Sequence, residues 1–368
     1  MISTVLPLYC VSIGKTITDA GVFLGFYSVA MIISRPFVGK WCDEKGKLKI
    51  SFIGISMLIL SVACTFYDSL ALHFSLYQAI EGIGFSALST ALAALLIDIL
   101  PPEYIVRGIG MFTVLKSLTI SLGASTAVSI AEKLGSNKVF LLSIVTIVFS
   151  LLCLFPLIKA KTVEKQKTNI DNNNKIEYKG ISKYIEKSAI SICLLQFIFT
   201  FALTLGTSYL PSYTQSINLT GISIYYTVSA ITMFLSRTLF SKLFLNINEK
   251  DSFVYGLILA IITTIAIITT RNLYIFIIIS FFNAIGISLV NPTLNVKATA
   301  NVDASRRGVA ISTYYGALDL GSGAGATIWG MIIPIIGYQF SFVVATILLI
   351  TNLLLGLLIF KKEVASCR

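Results

Sequence analysis

Gly39-Lys40-Trp41-Cys42-Asp43-Glu44-Lys45-Gly46-Lys47-Leu48-Lys49 is the stretch from which the rest of the chain can be read. It is short, basic and punctuated by glycine, and it stands between two long apolar runs, 20–40 and 49–67. A helix needs about 20 apolar residues to cross a hydrocarbon core of about 30 Å, so each flanking run is long enough to span a membrane. Composition agrees. Of 368 residues 56% are hydrophobic and only 12% are charged, with a mean hydropathy of +0.87, whereas a soluble domain carries roughly 25% charged residues. So few ionised groups cannot cover a water-facing surface, which excludes an ordinary cytosolic enzyme and turns most of the outside toward lipid.

Reading outward from that stretch, apolar runs separated by charged or turn-rich breaks fall at 1–14, 20–40, 49–67, 73–100, 108–131, 138–158, 189–212, 220–244, 253–270, 272–297, 308–334 and 338–360. The expected fold is therefore an all-α membrane protein of twelve transmembrane helices. The first run is too short, because fourteen residues rise only about 21 Å; the sequence leads us to expect a first helix shortened at its N-terminus, by a late start or a truncation. No signal peptide is read in Met1 to Gly14, which lack a basic beginning and a small-residue cleavage site.

Charge gives the orientation. The segments after even-numbered runs hold Lys40, Lys45, Lys47, Lys49, Arg107, eight lysines between Lys159 and Lys187, Lys242, Lys250, Lys297, Arg306, Arg307, Lys361, Lys362 and Arg368. The opposite side holds Lys15, Lys133, Lys138 and Arg271, and Arg35, Lys116 and Arg237 lie within runs. The positive-inside rule then puts both termini in the cytoplasm of a multi-pass cell-membrane protein. It also accounts for the net charge of +11 without nucleic acid. Residues 159–188, lysine- and asparagine-rich, read as a flexible cytoplasmic linker between an N-terminal half, 1–158, and a C-terminal half, 189–368.

The halves repeat one another. Leu6-Pro7-Leu8-Tyr9 recurs as Leu210-Pro211-Ser212-Tyr213, Ser12-Ile13 as Ser216-Ile217, Ser34-Arg35 as Ser236-Arg237, Gly82-Ile83-Gly84 as Ala284-Ile285-Gly286, Arg107-Gly108 as Arg307-Gly308, and Gly123-Ala124 as Gly323-Ala324. The offset drifts only from 204 to 200. Two six-helix halves in parallel repeat are an arrangement of secondary transporters.

On these residues the whole chain resembles the major facilitator superfamily, and in particular its bacterial drug-efflux-like members. The quoted stretch looks like that family's G-x-x-x-D-[RK]-x-G-[RK]-[RK] loop: Gly39, Asp43, Gly46 and Lys47 match, while Glu44 stands where a cation is usual. Arg35-Pro36-Phe37 also fits efflux-like members. The resemblance implies a conformational latch formed by Gly39, Asp43, Gly46 and Lys47, to whose charge network Asp98 and Arg107 are added. Gly39 would permit close helix approach and Gly46 a tight turn. The second copy, Ser241-Lys242-Leu243-Phe244-Leu245, has lost the Gly and the Asp. Gln78-Ala79-Ile80-Glu81-Gly82-Ile83-Gly84 aligns with the family's R-x-x-[QH]-G-x-G pattern with glutamine for arginine, and Ser121-Leu122-Gly123-Ala124 keeps the glycine of a G-P pair and loses the proline.

An ionisable group at mid-helix costs about 2.5 to 3.5 kcal/mol on insertion scales, so each invites a functional reading. Glu81, in the outer half of the fourth run, and Asp319, near mid-membrane in a D-x-G-x-G segment, are the candidates for proton coupling, since a carboxylate held inside a protein can take up a proton near neutral pH. Lys116 sits too far from Glu81 in depth for a direct pair. The family's cavity is lined by spans one, four, seven and ten, which implies Gln78, Lys116, Gln196, Thr200, Thr204, Asn291 and Asn295 as substrate-cavity candidates; hydrogen bonding between helices is the other reading of the hydroxyls.

The function implied is proton-coupled efflux of a small organic or drug-like molecule by alternating access. The rivals are transport of a specific metabolite, such as a sugar, nucleoside or metallophore, and a non-transporting receptor or degenerate carrier. The partners expected are a small-molecule substrate, protons and the lipid bilayer, with the protein a monomer. The six cysteines are scattered and His73 is the one histidine, so no metal site is read. No phosphate-binding loop or nucleophile triad is found, so neither a cofactor nor an enzymatic reaction is expected.

Overall fold

The computed structural model describes residues 2–68, 73–100, 105–156, 186–238, 248–300, 302 and 307–366, and among them every regular element is a helix. In chain order they are α1 (Ile2–Ser12), α2 (Ile17–Lys45), α3 (Lys47–Tyr67), α4 (Phe74–Ile99), α5 (Ile105–Leu134), α6 (Asn137–Leu154), a 3₁₀ turn at Lys187–Ala189, α7 (Ile190–Ser216), α8 (Ser223–Thr238), α9 (Glu249–Thr269), α10 (Leu273–Ala300) and α11 (Arg307–Ser366). α11 is broken at Gly337, whose φ of 80° and ψ of 166° are not helical; the apolar runs expected at 308–334 and 338–360 fall on either side. Eight described stretches are long and apolar enough to cross a membrane. Their outward residues are large and apolar, as at Ile33, Val145, Phe149 and Phe340, which is what a lipid-facing surface requires.

The quoted basic stretch is less of a loop than its composition suggests. α2 runs on through Gly39 to Lys45, and α3 begins at Lys47, so Gly46 alone turns the chain, with φ at 91°. Helix continues because the sequence supplies its own side-chain pairs: Lys40 and Glu44 lie four apart with Nζ and Oε1 3.6 Å apart, and the Lys45 ammonium lies over the Trp41 ring, 5.3 Å from its centroid. Gly46 then takes a backbone conformation that a side chain would strain.

Helix contacts rest on small residues, because lipid removes the hydrophobic drive that packs helices in water and leaves close van der Waals approach to do it. A Cβ built on Gly54 of α3 would fall 2.8 Å from the carbonyl oxygen of Gly84 on α4, and one on Gly84 would fall 2.9 Å from that of Gly54. Gly256 of α9 and Gly286 of α10 meet in the same way, at 2.9 and 2.8 Å. Both partners differ in number by 202, so the two contacts are one device used twice. The ends of α1 and α7 repeat likewise: Ser12 Oγ donates to the Tyr9 carbonyl at 2.7 Å and Ser216 Oγ to that of Tyr213 at 2.6 Å.

α1 packs on α7, α2 on α11 and α5 on α8. The α2–α11 contact is antiparallel. Gly21 abuts Gly330, with a built Cβ on the former 2.8 Å from the latter's Cα; Gly25 meets Thr327; and Gly323 is pressed against Ser28. Tyr209 of α7 joins this contact by donating to the Ala326 carbonyl at 2.5 Å. Further along, a Cβ on Gly39 of α2 or on Gly316 of α11 would meet no atom within 4 Å. α5 and α8 also touch toward the end away from Gly46, where Ser125 bonds Thr227, Ser121 Oγ donates to Met233 Sδ at 3.6 Å and the Ile222 amide donates to Glu132 Oε1 at 3.2 Å.

Candidate functional site

Where the α2–α11 contact begins to open, Arg35 of α2 and Asp319 of α11 form an ion pair through Nη2 and Oδ2. Their side chains are 24% and 10% exposed, so the pair sits inside the bundle. The antiparallel register places Arg35 near Gly316, and its long side chain reaches about one turn back to Asp319. Arg35 Nε is buried with no hydrogen-bond partner among the described residues.

Two further helices bring side chains to this pair. Lys116 of α5 places its ammonium over the rings of Phe85 on α4 and Tyr315 on α11, 5.9 and 5.7 Å from their centroids. Phe85 in turn lies 6.2 Å, centroid to centroid, from Tyr27 of α2. Glu81 of α4 accepts a hydrogen bond from Gln78 Nε2 at 3.0 Å, and its helix is held tight to α2 because Gly82 abuts the Tyr27 carbonyl. Tyr27, Arg35, Glu81, Lys116 and Asp319 are within electrostatic range of one or more of the others. The centre thus contains two cations, Arg35 and Lys116, and the Asp319 carboxylate, walled by aromatic rings, with Tyr27 between it and Glu81.

A second polar group lies on the other face of α11. Gln196 Nε2 of α7 donates to Thr200 Oγ1 at 2.8 Å and to Asn291 Oδ1 of α10 at 3.1 Å. Tyr314 OH makes hydrogen bonds to Gln196 Oε1 at 3.0 Å and the Asn291 carbonyl at 2.8 Å. Thr204 Oγ1 donates to the Thr200 carbonyl at 2.7 Å. Adjacent tyrosines on α11 therefore address separate centres, Tyr315 the ionic one and Tyr314 this neutral network. Asn295 is half-buried one turn beyond Asn291.

Of the residues singled out from sequence, Asp319 and Lys116 come together in the first centre, Gln78 and Glu81 pair with each other on α4, and Gln196, Thr200, Thr204 and Asn291 meet in the second. Gly39, Gly46 and Lys47 lie at or near the junction of α2 and α3, and a Cβ on Gly39 would meet no atom within 4 Å. The side chains of Asp43, Asp98 and Arg107 lie outside the described residues, as do linker residues 159–185. Arg35 was legible as a cation within an apolar run, repeated at Arg237 and set in an efflux-like Arg-Pro-Phe segment, but not as the partner of Asp319. The signal that could have marked it was the presence of in-span charges of both signs, since a buried charge calls for a partner.

Apolar helices gathered around a buried ionic centre define a class, the membrane transport proteins that hold a polar site between their helices. The sequence matches the Major Facilitator Superfamily over residues 1–296 and 192–366, and the chain belongs to that superfamily. Among its relatives, the staphylopine export protein of Staphylococcus aureus (strain Mu50 / ATCC 700699) is 20% identical over 367 residues, covering 97% of this chain and 91% of its own. The quinolone resistance protein NorA of Staphylococcus aureus (strain MRSA252) is 23% identical over 326 residues, covering 84% and 79%. The fold is shared with the nucleoside transporter NupG, at a TM-score of 0.74 and 11% identity over 98% of this chain and 94% of that one. It is also shared with a POT family transporter in complex with a thioalcohol conjugated peptide, at 0.75 and 14% over 100% and 93%.

Proposed function

We propose that the protein is a proton-coupled exporter of a small organic or drug-like molecule, built as twelve spans in two six-helix halves, 1–158 and 189–368, joined by a cytoplasmic linker at 159–188. Both termini lie in the cytoplasm and the protein acts as a monomer. The observation that carries the reading is the Arg35–Asp319 ion pair, which ties α2 to α11 inside the bundle. With the basic α2–α3 junction on the cytoplasmic side, the contacts at Gly21–Gly330 and Ser125–Thr227 close the outer end. The open space at Gly39 and Gly316 then belongs to a conformation that faces the cytoplasm.

In such a carrier a ligand moves the equilibrium only through its different affinity for the two states. A proton on Asp319 removes the charge that Arg35 holds and frees α2 from α11 at that level. Glu81, bonded to Gln78, is the second candidate for proton uptake. Gly39, Asp43, Gly46, Lys47, Asp98 and Arg107 form the latch at the cytoplasmic end, and Gln78, Lys116, Gln196, Thr200, Thr204, Asn291 and Asn295 line the substrate path. A second reading, export of a specific metallophore, is favoured by the staphylopine export protein, which aligns with 97% of this chain.

The test is flux across proteoliposomes of purified protein, with and without a pH gradient, over a panel of cationic dyes, fluoroquinolones, nucleosides and metal chelators. Gradient-driven movement of at least one compound is expected. No flux for any of them, with the protein folded normally, would favour a receptor.

A further inference from the structure

The ionic centre is unevenly satisfied. Arg35 already holds Asp319, and Glu81 takes its hydrogen bond from the neutral Gln78. Lys116 has no carboxylate within ion-pair distance among the described residues; its contacts are the ring faces of Phe85 and Tyr315. An ammonium has three donors, and two ring faces attract its charge without supplying an acceptor oxygen. Space is available beside it: Tyr315 is half-buried, and its neighbour Gly316 has no atom within 4 Å of where a Cβ would stand. Arg35, within electrostatic range of Lys116, has a buried Nε with no hydrogen-bond partner among the described residues.

We infer that Lys116 and Arg35 form a subsite for a carboxylate, and that the transported molecule is an organic anion or zwitterion carrying a flat apolar body. The inference rests on the transport reading above and adds the class of substrate. The ligand carboxylate accepts from the Lys116 ammonium and stands next to Arg35, in the place that Asp319 competes for. The apolar body lies against Phe85, Tyr27 and Tyr315, whose rings supply contact area at little conformational cost. A cationic ligand meets the net positive charge that Lys116 and Arg35 leave beside the single Asp319 carboxylate, and is disfavoured.

The experiment uses the purified protein and three matched probes, 2-naphthoate, 2-naphthamide and 2-naphthylmethylammonium, with binding read by thermal stabilisation. The carboxylate is expected to bind at least about tenfold more tightly than the other two, as a charge-assisted hydrogen bond in a partly dry site implies. Lys116→Met is expected to erase that preference while leaving the unliganded melting temperature near that of the parent, and Lys116→Arg to restore it. Equal binding of amide or ammonium, or unchanged naphthoate affinity in Lys116→Met, would overturn the proposal. So would the failure of naphthoate to bind a protein that still moves other compounds in proteoliposomes, and the transport reading would then stand without it. Naphthoate binding that depends on Lys116 in a protein that moves nothing would instead uphold the anion subsite and sink the transport reading.

Discussion

A carboxylate and a guanidinium in contact inside a membrane bundle stabilise each other only as a pair. Desolvating both is costly, and removing one leaves the other buried without compensation, a loss of about 3 to 5 kcal/mol, whereas replacing both by neutral groups is far milder. Arg35→Gln and Asp319→Asn are each expected to lower the melting temperature of the purified protein, and the double variant to recover most of the loss. Additive losses would mean that the two side chains do not depend on each other. The same residues show where sequence reading stops. Asp319 stood out as a carboxylate amid glycines, but its partner lies nearly the whole chain away, and only the register of α2 against α11 brings them together. The internal repeat matches Arg35 with Arg237 but gives no help with the other two charges: Thr119 and Gly316 stand where the offset of 200 puts the counterparts of Asp319 and Lys116.

Helices were more legible than their partners. Long apolar runs mark spans because lipid demands them, and α3 (Lys47–Tyr67) and α9 (Glu249–Thr269) start or end close to the runs expected at 49–67 and 253–270. Gln196, Thr200 and Thr204 were reached as cavity candidates, but not that Asn291 and Tyr314 would complete the hydrogen bonds of Gln196, which depends on how α7, α10 and α11 approach. The basic stretch at 39–49 misled in one respect, since side-chain pairs four apart keep it helical up to Gly46. Gly84 and Gly286 were visible as repeated residues, and their partners Gly54 and Gly256, at the same offset, explain why they are small. Gly54→Leu and Gly256→Leu are expected to destabilise by about 1 to 3 kcal/mol, because the added atoms strike a facing carbonyl that cannot yield. Gly39→Ala, in open space, is expected to leave stability within about 0.5 kcal/mol. Melting curves of the three variants check this, and equal losses at all three positions would show that the glycine contacts do not hold α3 to α4 and α9 to α10.

At the scale of the whole molecule, the glycine contacts that repeat hold α3 to α4 and α9 to α10, whereas Lys116 and Asp319 have no ionisable counterpart in the other half. Small residues close α2 on α11 and α5 on α8 toward one end, and both pairs lead down to the level of Arg35, Lys116 and Asp319. A proton arriving there changes the electrostatics of a contact between helices that a rocking carrier must open and close. The coupling can be watched directly with a pH-sensitive dye trapped in proteoliposomes while a transported compound is added outside. In the parent protein, substrate addition is expected to drive proton movement. Asp319→Asn, inserted and folded normally, is expected to move no protons in response. Proton movement of the same size in Asp319→Asn and parent would contradict the account.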